Sequence, residues 1–523
     1  MTKYLISRII RAVVSVVIVV AVVMVMIYSF LDKQSIFAND PVFTKQKSNG
    51  KQVYMMQEWE RYGYLDYVNY TDYLQELTDN GAITSEQRDV YKNLGKNAAG
   101  ANDGAAEYIQ KFTEFYQSQG YTVVPLKADT RANGAVKDGG QPRLYAYRDV
   151  PILNRLWNYF SGLFKVDNIH TVEEDVGERG LEFTLYDPVY GGNKFSPAIM
   201  GNGTHHKYLL YFDNQFPYIH QNLLKVKLGM SYSVNKGIDV FDTMTQSQGS
   251  FVKSTITYPS GWAEDSADDL HTATYSAGSL EKGELNQKYF VDDYTSVTTV
   301  KSGMSKMGYS FVIGILSVIL AYMLAIPVGI AMALKKDKFM DKLGTFYIIF
   351  IMAVPSLGYI FLFKAIGSSV GLPAKFDMQN PTWLMYILPI VSLALPSIAN
   401  LMKWLRRYMI DQMNSDYVKF ARSGGLSERE IFSKHILKNA IIPIVHGIPG
   451  SMLGALTGAI ITERVYVVPG VGNLLTTAIN SYDNGVIVGV TLFYALLSVT
   501  SVILGDILMS MVDPRISFTA KAR

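Results

Sequence analysis

Asp416-Tyr417-Val418-Lys419-Phe420-Ala421-Arg422-Ser423-Gly424-Gly425-Leu426-Ser427, continuing through Ile431-Phe432-Ser433-Lys434-His435-Ile436-Leu437-Lys438-Asn439-Ala440, is polar and basic, yet it sits between two strongly apolar runs. Ser415 or Asp416 can cap a short helix through Ala421, and Gly424-Gly425 then ends it by permitting positive φ. Ser427 with Glu430 forms a Ser-x-x-Glu capping box that starts a second helix toward Ala440. Helix–glycine–helix makes a compact knob that can fill a groove in a partner and move as a unit. The same residues also suit a basic loop that only fixes topology and touches lipid headgroups. Pattern alone leaves both readings open.

Working outward, the runs on either side belong to a set of five: 309–334, 343–366, 383–402, 441–461 and 486–511, each long enough to cross a bilayer. A sixth, 12–31, follows Lys3, Arg8 and Arg11. It is too long for a signal-peptide core and no small-residue cleavage site follows, so a retained first helix is expected. Cations alternate between loops: Lys335, Lys336, Lys338 and Lys342 follow the second span, Lys403, Arg406, Arg407 and the basic stretch follow the fourth, and Arg515, Lys521 and Arg523 follow the sixth. The other loops hold few, Lys375 and Arg464. The positive-inside bias therefore predicts six spans with both termini cytoplasmic and residues 32–306 outside the cell.

That long segment explains the composition. Over 523 residues the chain is 49% hydrophobic and 18% charged, with a mean hydropathy of +0.12: a membrane part plus a large water-exposed part. Residues 51–77 and 85–119 read as amphipathic helices, 131–141 as loop, and 180–186, 207–213 and 251–258 as strands, giving an α+β domain. There are 35 tyrosines against 5 tryptophans and 25 phenylalanines, and many fall in this segment, either as an adaptable contact surface or as an ordinary aromatic core. A net charge of +3 gives no sign of nucleic-acid binding. With no cysteine, thiol nucleophiles, thiolate metal sites and disulfides are excluded. Phosphate-loop, zinc-hydrolase and nucleophile-elbow motifs are absent. His205-His206 is an isolated pair, and Asn69-Tyr70-Thr71 and Asn202-Gly203-Thr204 are glycosylation sequons by pattern only.

Pro327, Pro355, Pro389, Pro396 and Pro449 interrupt the spans, which suits helices that change shape and equally suits ordinary membrane-helix proline. Asp506 inside the sixth span and Glu463 at the end of the fifth need partners or water. Asp513 should share a helix face with Asp506, and Lys364 should snorkel.

The basic stretch resembles the EAA loop of ABC-importer permeases. Tyr417-Val418-x-x-Ala421-Arg422-x-x-Gly425-Leu426-Ser427 is similar to the form carried by the oligopeptide/dipeptide permease family, with Lys419 at the usual acidic position and His435 to Ala440 in place of the later proline-bearing segment. Thr462-Glu463-Arg464-Val465-Tyr466-Val467-Val468-Pro469-Gly470-Val471-Gly472, Met511-Val512-Asp513-Pro514-Arg515-Ile516, the Tyr4 and Arg8 start, and Leu228-Gly229-Met230-Ser231-Tyr232 resemble further blocks of that family. The likeness covers about residues 1–30 and 300–523, and enlarged outer segments resemble the Ami-type permeases of streptococci.

The resemblance implies a mainly α polytopic membrane protein of the type I ABC importer permease fold: six transmembrane helices, with a large α+β extracellular domain inserted between helices 1 and 2. The implied units are 1–31, 32–306, 307–511 with a coupling loop at 411–440, and 512–523. It implies a bacterial cell-membrane subunit, not itself an enzyme, that translocates oligopeptides. Two cytoplasmic ATPases hold ATP and Mg and dock on Asp416, Tyr417, Val418, Lys419, Ala421, Arg422, Gly424, Gly425, Leu426, Ser427 and Glu430. A second homologous permease and an extracellular peptide-binding lipoprotein complete the implied assembly. No metal, cofactor or substrate-contact residue is assigned in this chain. The outer segment is expected to position the lipoprotein or gate the entrance. Two rivals stand beside this reading: a non-transporting ABC-coupled mechanotransmission protein whose extracellular domain regulates an envelope partner, and an ion-coupled secondary transporter, for which mid-membrane charge pairs are scarce.

Overall fold

The computed structural model describes residues 2–95, 103–166, 181–186, 197–201, 208–212, 219–221, 224–246, 248, 256–257, 263–264, 273–275, 295–297, 304–378 and 380–512. The first apolar run is α1 (Thr2–Phe30). It leads into α2 (Pro41–Lys45), α3 (Ser48–Arg61), β1 (Leu65–Asn69), α4 (Tyr70–Asp79), α5 (Ser85–Tyr91), α6 (Asp103–Ser118), β2 (Thr122–Leu126), β3 (Arg143–Asp149) and α7 (Ile152–Ser161).

The helix expected over 51–77 is therefore α3, β1 and α4 in succession. Gly63 at φ +71° turns the chain after α3, and the strand that follows was hidden by aromatic residues common to both periods. The helix expected over 85–119 is α5 and α6, with 96–102 outside the described residues. Strands β2 and β3 were not anticipated. β3 is the centre of an antiparallel sheet ordered β1-β3-β2, with Tyr67 opposite Tyr147 and Val123 opposite Ala146.

Period-two alternation divides β3 between two cores. Leu144 and Ala146 face Tyr70, Leu74 and Phe112, whereas Tyr145 faces Tyr67, Trp59 and Phe37. Tyr70 meets Phe112 edge-on at 5.5 Å and Tyr62 stacks on Tyr232 at 3.9 Å. Many of the described tyrosines here are core residues, buried by their rings.

β4 (Phe164–Val166) pairs with β9 (Leu224–Val226). β5 (Leu181–Thr184), β6 (Ala198–Gly201), β7 (Tyr208–Phe212) and β8 (Ile219–Gln221) form a four-stranded antiparallel sheet in that order. The expected strands at 180–186 and 207–213 are β5 and β7. Of 251–258 only β10 (Ile256–Thr257) is described. Helix α8 (Val240–Thr245) follows, with Val240 and Met244 buried in a cluster with Val486 and Val490.

The second half is α9 (Lys306–Leu334), α10 (Phe339–Ala353), α11 (Ser356–Ser369), α12 (Leu384–Met413), α13 (Asp416–Ser423), α14 (Glu428–His446), α15 (Ile448–Tyr466), α16 (Val471–Asn480) and α17 (Asn484–Val512). Four helices, α1, α9, α12 and α17, are each long and apolar enough to cross a bilayer. The expected spans 343–366 and 441–461 are bent pairs instead: α10–α11 turns by 111° and α14–α15 by 43°. Both breaks fall at prolines, Pro355 before α11 and Pro449 at the start of α15, where a missing N–H interrupts the helical ladder. Pro327, Pro389 and Pro396 remain inside α9 and α12.

Several charged groups of this bundle have defined partners among the described residues. Asp506 meets Arg8 of α1 at 2.7 Å, which gives this carboxylate a cation on a neighbouring helix. Glu463 is fully buried and accepts from the Ser310 hydroxyl at 2.6 Å and the Asn473 amide at 2.9 Å. A Cβ at Gly470 would come within 2.3 Å of that carboxylate, so only glycine fits there. Lys364 does not simply snorkel: its Nζ donates to the Val465 carbonyl at 2.6 Å and lies 5.6 Å from the Tyr466 ring centroid. Asp341 of α10 and Arg406 of α12 form a two-pronged ion pair at 2.5 and 2.7 Å. Asp513, His205, His206, Asn202 and residues 513–523 lie outside the described residues.

The segment before α8 is locked to the turn between α16 and α17. The buried Asp483 carboxylate accepts backbone N–H groups from Tyr232, Ser233 and Val234 at 2.8, 2.9 and 3.0 Å and the Ser231 hydroxyl at 2.6 Å. Asn484 donates to the Tyr64 hydroxyl at 2.8 Å. At Gly485 a Cβ would sit 1.8 Å from the Met230 carbonyl oxygen. The two backbones touch.

Candidate coupling knob and membrane cavity

Helix α13 is short and amphipathic. Val418 on its inner side is fully buried against the α12–α14 core with Ile431 and Ile436. Ser415 occupies the N-cap position, but its hydroxyl donates back to the Gln412 carbonyl at 2.6 Å, so neither it nor Asp416 caps the helix as the sequence suggests. Asp416 instead pairs with Lys419 at 2.9 Å. Of the two glycines only Gly425 takes positive φ, at +82°; Gly424 stays at −77°. The Leu426 amide then donates to the Ala421 carbonyl at 3.3 Å.

The Ser427–Glu430 capping box forms with both of its bonds. Arg422 reaches across the turn to grip Glu428 through Nε and Nη2 at 2.6 and 3.1 Å. The Tyr417 hydroxyl donates to the Gln412 side chain and accepts from Asn439 Nδ2 at 3.0 Å, tying the knob to α12 and α14. Lys419 holds the Asp416 carboxyl below its ordinary range, and Arg422 does the same for Glu428. The Ser427 hydroxyl and amide lower Glu430 in the same way. All three carboxylates are solvent-facing and ionised at neutral pH.

Helix α14 continues through a π-helical stretch at Ile431–Leu437, which a plain helix through Ala440 did not anticipate. One residue escaped the sequence reading. Phe420 is 82% exposed, on the side of α13 opposite Val418, and an apolar residue in an amphipathic helix is ordinarily assigned to the core.

Behind the knob, α9, α10, α12, α14 and α15 line an open cavity of about 680 Å³. Its walls include Tyr322, Ser397, Asn400, Trp404, Tyr408 and Ser451, with no acidic or basic side chain among the lining residues. Trp404 stacks on Tyr408 at 5.7 Å, and the Tyr322 hydroxyl is 3.2 Å from that of Ser451. Gly450 and Gly454, one turn apart on α15, open onto free space.

With this geometry in place, comparison with known proteins decides the family. The family described as "Binding-protein-dependent transport system inner membrane component" matches residues 325–518. The oligopeptide transport system permease protein AmiC of Streptococcus pneumoniae is 33% identical over 530 residues, covering 100% of this chain and 99% of that protein. The chain belongs to the peptide-permease family of binding-protein-dependent transporters. The dipeptide transport system permease protein DppB of Lactococcus lactis is 30% identical over 43% of this chain and 73% of its own length. Among solved structures, the inward-facing MetNI methionine ABC transporter aligns with 39% of this chain and 94% of its own, at 12% identity and a TM-score of 0.32. The permease match lies over α9 to α17, while the AmiC match runs through residues 32–306 as well. This permease is accordingly a helical, multi-pass membrane protein.

Proposed function

We propose that this permease is one half of the membrane channel of an ATP-binding-cassette importer for oligopeptides. Two cytoplasmic ATPases, which bind ATP and Mg, dock on α13 and the Gly425 turn. A second, homologous permease faces the cavity, and an extracellular lipoprotein delivers peptide. Counting each bent pair as one span gives six spans, both termini and 411–440 in the cytoplasm, and 32–306 outside the cell.

The observation that carries this reading is the knob. It presents an exposed aromatic ring flanked by fixed ion pairs, while Val418 and Tyr417 weld it to α12 and α14, two walls of the cavity. A partner that grips Phe420 thereby acts on the cavity as a rigid lever, and only its different affinity for two shapes can do work. The uncharged lining suits a varied cargo: hydroxyl and amide groups can exchange hydrogen bonds with any peptide backbone, and Trp404 and Tyr408 offer flat apolar faces.

Peptide uptake by the complete transporter in proteoliposomes tests this. Gly454→Trp should fill the cavity and abolish uptake with ATPase binding intact. Full uptake in that variant would remove the cavity from the path. A force-relay role without transport is favoured by one observation, the Asp483 lock between membrane and outer segments; it predicts no uptake by the unmodified complex.

A further inference from the structure

Helix α7 has two apolar sides. Leu156, Tyr159 and Phe160 pack inward against the cluster formed by Val20, Met24 and Ile27 of α1 and Val486 of α17. The Arg155 guanidinium lies 3.7 Å from the centroid of the Tyr28 ring and 4.0 Å from that of Tyr64. These contacts fix α7 beside the C-terminal part of α1.

The other side faces away from the protein. Leu153 and Trp157, one helical turn apart, are 73% and 74% exposed, and Phe164 just beyond α7 is 64% exposed. Met26 and Phe30 of α1 are exposed at the same end of that helix, so exposed apolar side chains are found both on this long apolar helix and on α7 beside it. Trp157 also borders a cleft whose walls include Asp66, Arg148 and Asp149. A ring with apolar surface on one side and fixed charges on the other has the surroundings that favour tryptophan at a membrane–water boundary.

We propose that α7 is a membrane-surface helix. Leu153, Trp157 and Phe164 dip into the boundary between headgroups and acyl chains, and Asn158 stays in the headgroup water. The helix thereby sets the depth and tilt of α1 and of the outer segment built on it. This goes beyond the transport reading and holds for whichever side of the bilayer that end of α1 faces.

The chain has no cysteine, so single nitroxide labels at Leu153→Cys, Trp157→Cys and Asn158→Cys report cleanly in the full-length protein. In phosphatidylcholine–phosphatidylglycerol vesicles, the ratio of collision rates with oxygen and with a water-soluble nickel chelate should be several-fold higher at 153 and 157 than at 158. Because labelling could disturb α7, brominated-lipid quenching of the unlabelled protein should also fall measurably in Trp157→Phe. Equal, water-like ratios at all three sites would overturn the proposal. So would positions 153 and 157 that are open to water in vesicles and become shielded only when a peptide-binding protein is added, since the face would then belong to a protein partner.

Discussion

At one end of the bundle Asp416, Glu428 and Glu430 lie in open solvent, held by cations and a capping hydroxyl one turn away; at the other, Asp483 is buried and gripped by three backbone amides from a segment some 250 residues upstream. Exposed pairs lose little when broken, because water and salt replace the partner. A buried carboxylate cannot be removed without stranding its donors. The contacts of the knob thus cost little to exchange, whereas the Asp483 lock ties residues 231–234 to the turn before α17.

The sharpest way to break this contrast is Asp483→Ala, which takes the acceptor from the backbone amides of Tyr232, Ser233, Val234 and Val486 and from the Ser231 hydroxyl. A loss of roughly 4 kcal/mol is expected, read as a lower unfolding temperature of the purified full chain and new protease cuts near 228–239. An intact, protease-resistant segment would remove the lock. Asp341→Ala comes next. It strands Arg406 in a half-buried position, costing about 3 kcal/mol and loosening α10 from α12; Asp341→Asn should recover part of it.

A smaller effect concerns Asp242 of α8. Burial, reinforced by the charge of Asp239 and opposed by Lys227 and Lys225, raises its pKa to about 6. The folded state therefore holds this proton more tightly than the unfolded chain. That contribution is full below about pH 4 and is lost as pH rises through about 6. The surroundings of α8 should resist denaturant better at pH 5 than at pH 7 in this respect, and Asp242→Asn should flatten that part of the profile. At the low end, Arg422→Ala and Phe420→Ala should leave the unfolding temperature unchanged while weakening association with the ATPase. A clear drop in thermal stability would mean that the knob is held for its own fold and not for a partner.

The contrast also explains what could be read from residues alone. The Ser427–Glu430 box and the apolar runs are local, written in a four-residue spacing and in composition; the box forms, and four of the six runs are single long helices while 343–366 and 441–461 are bent pairs. The Asp483 lock joins positions 250 apart, and no spacing announces it. Phe420 is not among the residues the motif marks, and its 82% exposure, two residues from fully buried Val418, follows from how α13 packs. Pro355 was noted as a kink, but a 111° turn depends on what packs around it. β3 was missed because its alternation separates two buried faces, and both kinds of position are apolar or aromatic.

The central claim is that α13 and its turn meet an ATPase. Single cysteines at Ala421 and Ser427, in a chain with none of its own, allow crosslinking in native membranes with and without ATP. The account predicts crosslinks to an ATPase subunit from both positions, with yields that change when nucleotide is added. A well-expressed permease that forms no such crosslink at either position would contradict it.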